Sequence, residues 1–97
     1  MKKSIISNRT NCYICEMYHG IETRGTELHH ALHGYANRTL ADQDGLTVRL
    51  CNQCHRLLHD KGIHDRDLQQ IAERSYLEYY NKTIADFVQR YGKNYLD

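Results

Sequence analysis

The spacing of apolar positions divides the chain in two. From residue 65 onward, DRDLQQIAERSYLEYYN places Leu68, Ile71, Ala72, Tyr76 and Tyr79 on one helical stripe, with Asp65 suited to cap its start and Asn81 to stop it. Thr83 and Asp86 then have the form of a capping box, which predicts a second helix, TIADFVQRYG, burying Ile84, Phe87 and Val88 and ending at Gly92. Upstream the period changes. Glu27 to Ala31 and Leu46 to Leu50 read as short strands, because LTVRL alternates apolar and polar residues and carries the β-branched Thr47 and Val48. Between them, HGYANRTLADQDG reads as a long loop from its Gly, Asn and Asp content, and HRLLHDKG reads as a short helix closed by Gly62. These elements predict an α+β fold: knuckle, strand, loop, strand, helix over residues 1–64, then two helices over residues 65–97, all within one domain.

Composition sharpens that division. All four Cys and all seven His fall between residues 12 and 64, and the helical tail has neither. A chain of 97 residues buries too little surface to dispense readily with a staple, so a metal or disulfide is expected. No apolar run is long enough for a membrane span, and MKKSII starts like a signal peptide but turns polar too soon at SNRTNC. The expected setting is cytoplasmic, where cysteines serve as thiols or metal ligands more often than as disulfides. Eight Tyr, one Phe and no Trp suggest a core padded with half-polar rings, and the Tyr-rich helices also offer a surface for a protein partner. The formal charge of +1 places any nucleic-acid surface in a local patch and not in a global field.

Cys12-x-x-Cys15 and Cys51-x-x-Cys54 are two chelating corners. A two-residue spacer lets both sulfurs of a pair reach one tetrahedral ion, and two corners complete a closed four-sulfur zinc site of the kind a treble-clef knuckle holds. Other partitions fit less well. Cys12, Cys15, His29 and His33 loosely satisfy a two-Cys, two-His spacing, but that leaves Cys51 and Cys54 unused. CNQCH also has the form of a haem attachment site, which requires export, and a thioredoxin-like pair requires a βαβ context that is missing.

The histidines suggest a second centre. His55 and His59 lie at i and i+4, so a helix presents both from one face. His29 and His30 are adjacent on a strand and point to opposite sides, so one can join an ion while the other serves differently.

With these residues in view, HH in a first strand, a second strand ending in LCNQCH and a helix carrying another His resemble the motif of the HNH endonuclease superfamily, the His-Asn-His or His-Me finger enzymes. These have a ββα fold around one divalent metal. The flanking CYIC and CNQC pairs resemble its zinc-bearing members, and LHHALHGYANRTLADQDGLTVRLCNQCHRLLHDKG with the tail ending in YGKNYL is similar to small HNH-type proteins of bacteria and their phages. The resemblance implies a metal-dependent DNA endonuclease or nickase. His30 would be its general base, with His29, His55 and His59 as ligands of a catalytic Mg²⁺, Mn²⁺, Ni²⁺ or Zn²⁺. Arg38, Arg49, Arg56 and Lys61 would be candidate phosphate contacts on DNA. One feature departs from the pattern: the middle Asn, usual at the start of the second strand, is replaced by Asp44-Gly45-Leu46, with Asn37 as an early substitute in the loop. The rival reading is a DNA- or protein-binding zinc module that has kept the fold and lost hydrolysis.

Overall fold

The computed structural model of the chain describes residues 2–96, in the order α1 (Tyr13–His19), β1 (Glu27–His30), α2 (Tyr35–Asp44), β2 (Thr47–Leu50), α3 (Asn52–Lys61), α4 (Asp65–Tyr80) and α5 (Ile84–Tyr91). β1 and β2 form an antiparallel pair with Glu27 opposite Leu50, Leu28 opposite Arg49, His29 opposite Val48 and His30 opposite Thr47. The fold is thus a small α+β arrangement of five helices on a two-stranded sheet. None of the helices among the described residues is long and apolar enough to cross a membrane.

Two elements differ from the sequence reading. Residues 33–45 do not form a loop, because α2 occupies most of them between Gly34 and a left-handed Gly45. Its residues favour a helix only weakly, and long-range bonds hold it instead. The Asp44 carboxylate accepts from Arg90 Nε at 2.6 Å and Nη2 at 3.0 Å and from the Tyr91 hydroxyl, while Tyr80 Oη donates to the Asp44 carbonyl at 2.8 Å. The knuckle after Cys12 also winds into a helix, α1, which the sequence reading left unassigned.

The C-terminal helices follow their signals closely. Thr83 and Asp86 form the reciprocal capping box, and Asn81 and Gly92 take left-handed conformations that end α4 and α5. Asp65 proves to be the first residue of α4, with His64 at the capping position in a left-handed conformation of φ 64°. Tyr79 and Ile84, expected inside, are exposed. The core is nonetheless ring-rich as the composition suggests: Phe87 is fully buried and packs against Tyr76, Tyr91 and Tyr95 at centroid distances of 5.5, 4.7 and 6.2 Å. Burial, followed by the Asp44 carboxylate, pushes the Tyr91 phenol above its ordinary range, so its proton stays on as a donor.

Candidate metal centres

Each Cys-x-x-Cys pair is built into a helix start. Cys12 caps α1 and Cys51 caps α3, and each sulfur accepts from the backbone N–H three residues on, at 3.5 Å. A helix N-terminus stabilises thiolate, which is the form that binds metal. The sheet and α1 bring the two starts together, so that Cys15 Sγ lies 3.9 Å from Cys51 Sγ and 3.6 Å from Cys54 Sγ. Sulfurs about 2.3 Å from one tetrahedral zinc stand about 3.8 Å apart, and disulfide sulfurs about 2 Å apart, so the spacing matches a shared ion. All four sulfurs lie within 4.8 Å of one another, and all are free thiols. The four cysteines can hold a structural metal such as zinc.

Their protons are not equivalent. Burial pushes Cys51 up, but hydrogen bonds from Cys54, Cys12 and Cys15 outweigh it and hold this thiol below its ordinary value. Burial and then the neighbouring sulfurs push Cys54 up, and burial raises Cys15. Four adjacent negative sulfurs repel one another until a cation joins them, so metal binding here is coupled to proton release.

The second group joins β1, which carries His29, to α3, which carries His55 and His59. His29 Nδ1 lies 3.3 Å from His55 Nε2, and His59 Nε2 lies 3.0 Å from the same atom. Nitrogens about 2.1 Å from one ion stand roughly 3.0 to 3.4 Å apart for ligand angles between octahedral and tetrahedral. The three histidines therefore have the spacing of a facial ligand set, and their donor atoms all lie within 4.8 Å.

Their orientation has visible causes. Glu27 Oε1 meets His55 Nδ1 at 2.6 Å, and Asn52 Nδ2 donates to Glu27 Oε2 at 2.9 Å. With Nδ1–H given to the carboxylate, His55 Nε2 carries a lone pair toward the other two rings. The Asn52 and His55 hydrogen bonds hold the Glu27 carboxyl below its usual range, so it stays ionised. Burial, followed by the neighbouring His55 and His59, pushes His29 down to about 3, which keeps its imidazole neutral at cellular pH. His29 Nε2 is buried without a hydrogen-bond partner among the described residues. Such an orphan is destabilising, typically by about 1–3 kcal/mol, and it leaves Nδ1 aimed at the cluster.

His30 leaves the strand on the other side and meets Asp42 Oδ1 through Nε2 at 2.7 Å. It nonetheless lines one cavity of about 290 Å³ together with His29, His33, Arg38, His55 and His59. Asn37 does not line it. Its Nδ2 donates to the His33 carbonyl at 2.9 Å and to the Tyr91 carbonyl at 3.4 Å, bracing the turn between β1 and α2.

The four basic residues singled out from sequence separate in space. Arg38 lines the cavity, Arg49 lies in a neighbouring groove, Arg56 Nη2 donates to Asn52 Oδ1 at 3.2 Å, and Lys61 is exposed in the last turn of α3. Two participants escaped the sequence reading. Glu27 sits two residues before His29 on the same strand face, a period-2 signal for a shared side. His33 considered only as a finger ligand, instead lines the cavity and binds Asp65 Oδ1 through Nε2 at 2.7 Å. Comparison of the chain with protein families, with characterised proteins and with solved structures returns no match in any of the three.

Proposed function

We propose that the protein is a metal-dependent DNA endonuclease or nickase of the HNH type, with a treble-clef zinc knuckle bearing a ββα-metal site. One observation carries this reading: three histidine nitrogens converge with the spacing of ligands to one ion, beside a fourth histidine, His30, that is held by a carboxylate and not drawn into the ligand set.

In this reading His29, His55 and His59 hold a divalent cation, and that ion supplies Lewis-acid stabilisation of charge on the phosphodiester. The protein's own groups handle the proton. With Nε2–H donated to Asp42, His30 keeps the lone pair on Nδ1 and can take a proton from the water that attacks phosphorus. Asp42 fixes this tautomer and stabilises the imidazolium that results. The P–O bond to the leaving sugar oxygen breaks as the new P–O bond forms, and the departing oxygen takes a proton from solvent. Arg38 in the same cavity supplies a cation for a phosphate oxygen. Asn37 stands in for the missing middle Asn, since it braces the segment that follows His30.

The rival is a non-catalytic zinc module that binds DNA or a protein. The replacement of the middle Asn by Asp44 favours it, because Asp44 is committed to Arg90 and Tyr91 and is unavailable to the site. A partner docking on the C-terminal helices would meet Tyr79, since Tyr76, Tyr91 and Tyr95 are spent in the core.

Nicking of supercoiled plasmid in Mg²⁺, Mn²⁺, Ni²⁺ or Zn²⁺ separates the readings. Wild type should cut, and His30→Ala should lose about 10²- to 10⁴-fold in rate while binding the metal with unchanged affinity by calorimetry. Equal cutting by both removes His30 from the mechanism, and metal-independent failure of both leaves the binding module.

A further inference from the structure

Residues 2–9 run as a strap across the junction of α2 and β2. Lys2 N donates to the Asp42 carbonyl at 3.1 Å, Ile5 N to the Gly45 carbonyl at 2.8 Å, and Ser4 Oγ to the Thr47 carbonyl. Ser4 Oγ also accepts from Ile6 N and Ser7 N, which fixes the strap's own turn. The fit beneath it is close: Gly45 has φ +77°, and a Cβ there would stand 2.5 Å from the Lys3 carbonyl oxygen.

Between the strap and the sheet runs a groove of about 580 Å³. Four cations, Lys2, Lys3, Arg9 and Arg49, line it with no acidic side chain, in a chain whose formal charge is only +1. Arg9 is shared with Glu16 at 2.8 Å and Glu22 at 3.5 Å, and the Lys2 ammonium sits 5.2 Å over the Tyr79 ring. Lys3 and Arg49 are exposed, and no carboxylate meets either among the described residues. On the strap's other side the same lysines border a second cavity that reaches Tyr79, which is 58% exposed. A groove lined by cations that can follow a strand's phosphates is the electrostatic half of what single-strand binders use, and an exposed aromatic ring lies in the adjoining cavity.

The groove also has a direction. Leu28 lines both it and the histidine cavity, so a ligand lying in the groove passes over Leu28 to reach His30 and Arg38. A groove of this volume, lined by cations beneath the strap, suits a segment of one strand's backbone. We propose that the strap groove binds the sugar–phosphate backbone of a single nucleic-acid strand, holding the stretch next to the phosphodiester at the histidine cavity. This rests on the phosphodiesterase reading and adds to it the substrate's form: an unpaired strand or a strand end.

The test is binding without catalysis. Fluorescence anisotropy of a labelled 20-nucleotide oligothymidylate and of a duplex of equal length is measured with the zinc-loaded full chain, without added divalent metal. Wild type should prefer the single strand. Lys3→Glu with Arg49→Glu should weaken that binding at least about 30-fold. Lys3→Gln with Arg49→Gln, which keeps the Arg49 Cβ against Gly25, should lower the slope of log affinity against log salt by about 1.4, at about 0.7 for each phosphate released. Zinc content and melting of each variant certify the fold. Unchanged affinity in the variants, tighter duplex binding, or no strand binding by wild type overturns the groove. Strand binding by wild type that never leads to cleavage when metal is supplied sinks the nuclease reading and leaves the groove standing.

Discussion

At the scale of single residues, the candidate histidine centre would depend on one carboxylate outside its proposed ligands. Glu27 accepts from His55 Nδ1 and from Asn52, and so presents the opposite nitrogen of His55 to His29 and His59. Partners of this kind typically change metal affinity by about 10- to 100-fold. Glu27→Gln keeps the size and an accepting oxygen but removes the charge, so Mn²⁺ or Ni²⁺ affinity measured by calorimetry should fall within that range. His55→Ala should lower it further, since a ligand is then lost outright. If Glu27→Gln binds metal as wild type does, the pair is an ordinary surface ion pair. The 2.6 Å contact and the second anchor from Asn52 argue for the positioning role.

At the scale of elements, α2 is the piece on which the proposed mechanism leans, because it supplies Asp42 to His30 and Arg38 to the cavity. Asp44 ties this helix to α5 through Arg90 and Tyr91, with a side chain only 11% exposed. Asp44→Ala leaves a buried phenol and a half-buried guanidinium without their acceptor, and a loss of about 2–3 kcal/mol is expected after allowing for the solvent around Arg90. Urea unfolding measures it, and a change below about half a kcal/mol would show that the Asp44 carboxylate is not what holds α2. The same ties explain what was legible beforehand. The helices and strands whose signals are local, such as the capping box at Thr83, the left-handed stops at Asn81 and Gly92 and the alternation of LTVRL, form as the sequence reads. In α2 the residues Asn37, Thr39, Asp42 and Asp44 argue locally against a helix, and bonds from residues 46 or 47 positions away overrule them. Tyr79 and Ile84 mislead for a related reason: helical spacing identifies a stripe, but which edge of the stripe meets a neighbour depends on packing.

At the scale of the whole molecule, the radius of gyration of 12.8 Å is close to the roughly 12.5 Å of a compact body of this length, yet its sheet has only two strands among the described residues. A sheet that small is marginal without help. A metal at the four-cysteine cluster would supply it, since Cys12 and Cys15 belong to α1, while Cys51 and Cys54 close the end of β2 and the start of α3. Metal there would fix α1, β2 and α3 relative to one another. α3 in turn carries His55 and His59, so the two centres should be coupled in one direction. Zinc at the cysteines would hold the helix that presents the histidines, whereas metal at the histidines would add to a structure already formed. Zinc coupled to folding contributes on the order of 10 kcal/mol of apparent free energy in small modules, which exceeds the whole stability of many domains this size. Native mass spectrometry should therefore find at least one zinc in the purified chain, and chelation should abolish its cooperative melting. Cys54→Ser should lose that zinc and, with it, metal binding by the histidines. His55→Ala should lose only the second metal and still melt cooperatively with zinc retained. A disulfide, or a zinc-free chain that melts cooperatively, would refute the structural site, and equal loss of both metals in both variants would refute the one-way coupling.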